Sequence, residues 1–514
     1  MSRKLSRCAL ATVLLAFGAG AADWTTFGGD PQRTSWVKEE TDLAKTNVSK
    51  LKLEWSLKLD NAPKELNSLT VPLIHSQVIT LAGFKEYVVI AGASDKLFVI
   101  DADTGKLVWQ KAMSTEGTPK QAPRWLCPNA LNATPVIDRG ARTVYVASSD
   151  GKLHAFNLVN GEDRFAPVQF FPAFAKPWSL NLVDSVIYTA TSQSCNGVKS
   201  GVYAIDINDP KRPVTYFEAS TAGGGIWGRA GVAISTSGKI FAETGDGPYE
   251  PEKGKLSDTI FALTPKELKL ADYYTPANRA WITRKDLDMG NVSPVVFPFK
   301  NWELVAGSGK EGVIYLLNAK SMGGDDHRSP LFRSPLYTNE DVNFYGRGFW
   351  GALSTWENSA GTRWLYAPAW GPPASTAPKF PVSYGDAPAG SVMAFKVEVK
   401  EDKPVLAPAW MSKNMSLPEP VVIANGMVFA ISSGENVSQV DASGRLLTSK
   451  ERIDAPGGNA ILYAFDAETG KELYSSGKTI PGFTHFSAPV VCNGRVYVVT
   501  HDGTVYAFGV GSPQ

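Results

Sequence analysis

One short pattern occurs twice, near the two ends of the chain, and it limits the possible folds more than any other feature. VIDADTGKLVW, Val99 to Trp109, comes back as AFDAETGKELY, Ala464 to Tyr474. Around it lies a longer unit: Pro-Val-Val, a turn, an alternating strand, a Gly-containing turn, then an apolar strand ending near Ala-Phe-Asp. Copies include ATPVIDRGARTVYVASSDGKLHAFN from Ala133 and SAPVVCNGRVYVVTHDGTVYAFG from Ser487, with others starting at Ser293 and Glu419. Alternation such as Val144-Tyr145-Val146-Ala147 has the period of two expected of β-strands, and no long amphipathic helix interrupts the series.

The closing strands of the units end near Val99, Ala155, Ala204, Ala262, Leu316, Ala394, Ala464 and Ala507. Eight four-stranded units in succession predict an all-β fold, an eight-bladed β-propeller. The last unit, Arg495 to Gly509, lacks a following outer strand. KLKLEWSLKLD, Lys50 to Asp60, precedes the first unit and can supply it, so the N-terminal strand would close the ring. Each Asp-x-x-Thr-Gly-Lys turn would join the third and fourth strands of a blade, with Gly in a conformation other residues resist. The aromatic that follows, Trp109 or Tyr474, would pack between neighbouring blades. Separate β-sandwiches are the competing architecture, but no Ser/Gly linker, charge block or low-complexity tract divides the chain. Residues 22–514 therefore read as a single propeller domain.

The first residues place Arg3, Lys4 and Arg7 ahead of an apolar run from Ala9 to Phe17, followed by Ala19-Gly20-Ala21. That is the form of a secretory signal peptide over residues 1–21, and it predicts a periplasmic or secreted protein. Cys8 precedes the apolar core and is not a lipid-anchor cysteine. No later segment has the roughly 20 apolar residues of a transmembrane helix. With 51 basic and 50 acidic side chains, nothing points to a nucleic-acid partner or a charged membrane face. Cys127, Cys195 and Cys492 remain, and an odd count in an oxidising compartment predicts one disulfide and one leftover thiol. Cys492, in an apolar strand, reads as a buried small residue. Cys127 and Cys195 fall at turns of neighbouring blades and could pair if their Cα atoms lie within roughly 7 Å. Otherwise Cys195 is left as a soft ligand.

A propeller gathers equivalent turns of every blade around one mouth. The turn after the second strand carries Ser94 and Ser149 in early units, then Cys195, Asp246, Lys310, Trp370, Glu435 and His501. Acid, base, aromatic and imidazole converging on one place is what a binding pocket requires. Each residue singly has a plainer reading. Asp246 in Gly-Asp-Gly suits a turn, Lys310-Glu311 a solvated pair, and Trp227 or Trp370 inter-blade packing. His501 has no second His at metal-ligand spacing. The convergence carries the argument.

The Ala-x-Asp-x-x-Thr-Gly-Lys-x-x-Trp pattern resembles the tryptophan-docking repeats of pyrroloquinoline quinone (PQQ) propellers. That family includes eight-bladed quinoprotein alcohol dehydrogenases and a non-enzymatic outer-membrane assembly lipoprotein. GGGIWGRAGVAISTSGKIFAETGDG, Gly223 to Gly247, resembles the enzymes' quinone-binding segment. The resemblance implies Trp227 as the floor beneath the quinone and Asp246 as a metal ligand, where Asn is usual. KDLDMGNVSPVVF, Lys285 to Phe297, resembles the segment with the catalytic carboxylate. It implies Asp286 or Asp288 as the base, with Asp288 preferred and also a metal ligand. Lys310 stands where the enzymes keep a Lys or Arg beside the quinone oxygens. Cys127, Cys195, Trp350 and Trp370 complete the implied cofactor contacts.

Some positions depart from the pattern. Cys195, or Ser194, occupies the place of a metal-binding Glu, and a thiol is a poor calcium ligand. Cys127 is followed by Pro128, so the family's vicinal disulfide is excluded. No Cys-x-x-Cys-His is present to hold a covalent haem. The resemblance thus implies PQQ, calcium or another divalent or lanthanide cation, an alcohol or polyol substrate, and a separate redox acceptor protein. The alternative is a non-catalytic propeller scaffold that binds protein or polysaccharide.

Overall fold

The computed structural model describes residues 21–511 apart from 82, 221–223, 437–438 and 456. The expected signal peptide lies outside the described residues except for Ala21. Seven four-stranded antiparallel blades span 73–112, 136–169, 181–220, 233–274, 295–333, 354–411 and 422–475. The eighth combines three strands within 490–509 with Lys52–Lys58 as its outer strand, in the register Ser56 to Tyr506. The ring of eight blades and its N-terminal closure are as the repeats predict.

The recurring turn works by a shared set of hydrogen bonds. Asp101 Oδ1 accepts from the backbone N–H groups of Asp103 and Thr104, while Gly105 N–H donates to Asp101 O at 2.9 Å. Asp466 does the same for Glu468 and Thr469. The glycine has φ +65°, and a Cβ on it would meet the Trp55 ring at 2.6 Å. Trp55, from the outer strand of the eighth blade, donates through Nε1 to Ala102 O at 2.8 Å. Trp109 docks likewise on Leu158 O and Gly161, and Trp410 on Ala467 O and Gly470. Each tryptophan thus satisfies its N–H on the next blade while its ring covers a bare glycine.

Between blades the core is apolar. Phe297 and Leu304 of the fifth blade pack with Leu365 and Phe395 of the sixth, all fully or nearly fully buried. Burial of one such side chain contributes about 1.5–3 kcal/mol. No helix among the described residues is long and apolar enough to cross a membrane.

The N-terminal segment also forms a strap that the repeats do not foretell. Trp24 bridges to Ile74, and Ile137, Ile234, Val296, Thr355 and Ile423 each donate a backbone N–H to it. With Ile74, those donors belong to the inner strands of six blades, so residues 22–37 run along the inside of the ring. Arg33, fully buried, anchors the strap by donating to the carbonyls of Phe27, Leu180 and Val232.

Candidate functional site

Connections between blades, more than turns within them, build the site. Trp125, Trp178, Trp227, Asp288, Trp350 and His485 each sit just before the inner strand of a different blade. All six line one cavity of about 220 Å³, with Asp286 two residues before Asp288. The fourth and fifth blades add Asp246 and Lys310 from turns after their second strands. Phe27 of the strap lines a smaller void that shares Trp178, His485 and Phe486 with this cavity.

Its acidic wall is tightly drawn. Asp246, Asp286 and Asp288 each present an oxygen within 4.8 Å of the others. Asp288 is 2% exposed, and Lys310 Nζ donates to its Oδ2 at 2.5 Å and to Asp286 Oδ1 at 2.9 Å. The Asp246 N–H donates to Asp288 Oδ1 at 3.1 Å. Burial pushes the Asp246 carboxyl up to about 7, reinforced by the Asp288 charge. Burial also raises Asp286 to about 7, against the pull of Lys310. Asp288 would rise on burial too, but Lys310 and its hydrogen bonds outweigh this and hold it below the usual range. Asp246 Oδ1 is buried without a hydrogen-bond partner among the described residues. Three carboxylates, one of them with a bare buried oxygen, form a hard-oxygen donor set that fits a di- or trivalent cation, and the Lys310 ammonium balances part of their charge.

Gly245 makes this wall possible. A Cβ there would lie 2.3 Å from Trp227 Cη2 and 2.7 Å from Asp288 Oδ1. Its absence lets an indole edge and a carboxylate converge on one backbone position. Opposite, Trp350 stacks on Trp370 at 4.3 Å and 9°, with Lys310 Nζ 5.6 Å over the Trp350 ring. Glu435 accepts from Arg452 Nη2 and bonds His485 Nδ1, both at 2.7 Å. Burial pushes His485 down to about 4, whereas His485 and Arg452 hold Glu435 at about 2 against its own burial.

Of the residues expected from sequence, Trp227, Asp246, Asp286, Asp288, Lys310 and Trp350 share the cavity. Trp370 lies one ring behind, against Trp350. Cys127 and Cys195 do not line the cavity. They are joined in a disulfide with Cα atoms 5.5 Å apart, so neither offers a thiol ligand, and Leu126 and Gln193 face inward instead. Cys492 is the buried free thiol. Glu435 stands behind His485 and Arg452. His501 stacks on Phe483 and its Nε2 faces Glu65 O at 3.2 Å, away from the cavity. Ser94 and Ser149 are turn residues, held by Asn61 and Asp95. Sequence reasoning missed Trp125, Lys176, Trp178, Phe344, Arg452 and His485. Most share with Trp227 and Asp288 a place in an inter-blade connection, and that position was the available signal.

Solved structures share this ring. A quinohemoprotein alcohol dehydrogenase from Pseudomonas putida HK5 superposes with a TM-score of 0.62 at 14% identity, over 96% of this chain and 81% of that one. One from Comamonas testosteroni gives 0.60 at 16%, over 96% and 81%. A europium-containing methanol dehydrogenase gives 0.59 at 14%, over 95% and 89%. At such identities the likeness is one of fold. No curated protein matches in sequence. The family model described as outer membrane protein assembly factor BamB matches residues 30–212 and 424–511. With its repeats, docked tryptophans and eight blades, the chain belongs to the PQQ propeller family.

Proposed function

We propose that the protein is an exported PQQ-dependent dehydrogenase that oxidises an alcohol or polyol and hands the electrons to a separate acceptor protein. One observation carries this reading: Asp246, Asp286 and Asp288 cluster beside Lys310 on a cavity walled by Trp227 and Trp350. A wall with three carboxyls and one ammonium favours a bound calcium or lanthanide ion, which relieves their repulsion. Flat aromatic faces suit a planar quinone. Export is supported by the leader-like first residues and by the disulfide, which oxidising compartments sustain.

The aspartates would hold the cation, and Trp227, Trp350 and Lys310 the quinone. When bound, the quinone supplies a two-electron acceptor and the cation a Lewis acid. The side chains divide the remaining work. Asp288, buried and ion-paired, keeps Lys310 in place and stays ionised. Asp286, with its side chain 45% exposed, is the carboxylate a substrate hydroxyl can reach, and it takes the proton. This reverses the sequence-based preference for Asp288.

The test is direct. Metal-free protein titrated with PQQ plus calcium, or PQQ plus a lanthanide, should bind one quinone per chain by absorbance and then reduce a dye with an alcohol. No stoichiometric uptake with either cation would leave the scaffold reading standing.

A further inference from the structure

The cavity holds an amine for which the quinone reading has no role. Lys176 lies in the short strand Lys176–Pro177, which pairs with the second strand of the third blade, Lys176 opposite Ser192. The residue is 7% exposed and lines the cavity. Buried lysines normally take an acid partner. Lys176 has neither ion pair nor hydrogen bond among the described residues: its Nζ faces the Trp178 ring at 5.2 Å, and its nearest charged influence is Arg452.

Most other charged groups of the cavity are already engaged, the Asp246 carboxyl excepted. Arg452 is paired with Glu435, as is His485, and Lys310 holds Asp286 and Asp288, with Asp246 beside them. Burial, and then the Arg452 charge, push the Lys176 ammonium down to about 7. Desolvation beside a second cation is the setting that activates lysine nucleophiles.

We propose that Lys176 is a nucleophilic amine that captures carbonyl compounds, aldehydes or ketones small enough for this cavity, as a reversible imine. The Nζ lone pair adds to the carbonyl carbon, and the carbonyl oxygen takes up a proton. The carbinolamine then loses that oxygen as water, leaving a C=N bond. One water is released and no electrons pass to or from a third reactant. Trp125 and Trp178, walling the same cavity, disfavour the reverse hydrolysis by limiting water. The inference needs neither quinone nor cation.

The experiment uses the full exported chain with no PQQ and no added metal. Benzaldehyde and sodium cyanoborohydride are added, and the N-benzyl lysines are mapped by peptide mass spectrometry. Lys176 should be the dominant modified lysine, with labelling falling about tenfold from pH 8 to pH 6 as the amine protonates. Lys176→Met, and Lys176→Arg should the first fold poorly, should remove that label and leave the slow surface labelling unchanged. Lys176 labelled no faster than surface lysines, or equal total labelling in a folded variant, would overturn the proposal. Neither result bears on quinone uptake, which is measured separately.

Discussion

Lys310 Nζ stands 2.5 Å from Asp288 Oδ2, and the two side chains are only 8% and 2% exposed. Neither charge has water to fall back on. Breaking a buried pair by removing one partner typically costs about 3–5 kcal/mol, whereas replacing both with apolar groups is often near neutral. Lys310→Met should therefore lower the unfolding free energy by about that amount in denaturant titrations of the metal-free protein. Lys310→Met combined with Asp288→Leu should recover most of it. Equal losses in the single and double variants would show that the pair is not coupled in this way.

The acidic wall predicts how stability follows pH. Asp246 and Asp286 are raised from 3.8 to about 7, so over that range the folded protein binds more protons than the unfolded one. Stability then falls as pH rises through the window. Asp258 and Glu86, also raised to about 7, act in the same sense, while His485, lowered to about 4, opposes them, and so above about pH 7 does Lys176, lowered to about 7. The metal-free Tm should drop between about pH 5 and pH 7. Calcium or a lanthanide should restore it most at the high end, where the carboxylates are ionised. A cation effect of equal size at both ends would count against the cluster as a metal site.

How far the sequence reveals this protein depends on the kind of residue. The ring was legible because its repeat is local: Asp101 organises its own turn, and Gly105 is needed where Trp55 docks. Trp227, Asp288 and Lys310 were legible because they lie in stretches that resemble the family's. His485 and Lys176 were not, since their meaning comes from surroundings far along the chain: Glu435 for one, the lack of an acid partner among the described residues for the other. The strap was equally hidden, because Arg33 bonds three carbonyls, and no side-chain pattern encodes a carbonyl.

Tryptophan docking should be costly to disturb. Trp410 is fully buried, donates to Ala467 O at 2.9 Å and covers Gly470. Trp410→Ala should cost about 3–5 kcal/mol from lost burial and the cavity left behind. Gly470→Ala should also destabilise, since φ is +72° and a Cβ would meet the indole at 2.6 Å. Thermal unfolding of both variants checks this, and a Gly470→Ala protein as stable as wild type would refute the docking role.

The disulfide joins residues 68 apart in sequence. In the chain-entropy account a loop of that size contributes about 4 kcal/mol, and native cross-links commonly deliver about 2–5. Replacing Cys127 and Cys195 together by Ser should lower stability in that range. It should also weaken ligand uptake, because Leu126 and Gln193, beside the two cysteines, wall the cavity. Unchanged stability on reduction would mean that packing alone holds this wall.

The two aspartates of Lys285 to Phe297 should separate by function. Asp286 is half-exposed and reaches solvent from the cavity wall, whereas Asp288 is sealed beneath it and accepts from both Lys310 and the Asp246 N–H. Asp286→Asn keeps an oxygen for the cation but cannot take a proton. Its kcat should fall about 10²–10⁴-fold, the usual contribution of general-base help, with cation affinity changed much less. Asp288→Asn leaves Lys310 with one carboxylate and removes the most buried charge of the acidic cluster. That variant should lose cation affinity and thermal stability together, and activity should return in part at high cation concentration. Measuring cation binding by calorimetry beside dye reduction distinguishes the two patterns. If instead Asp286→Asn retains its rate while Asp288→Asn loses rate with cation affinity intact, the proton acceptor is Asp288 and Asp286 serves only to steady Lys310.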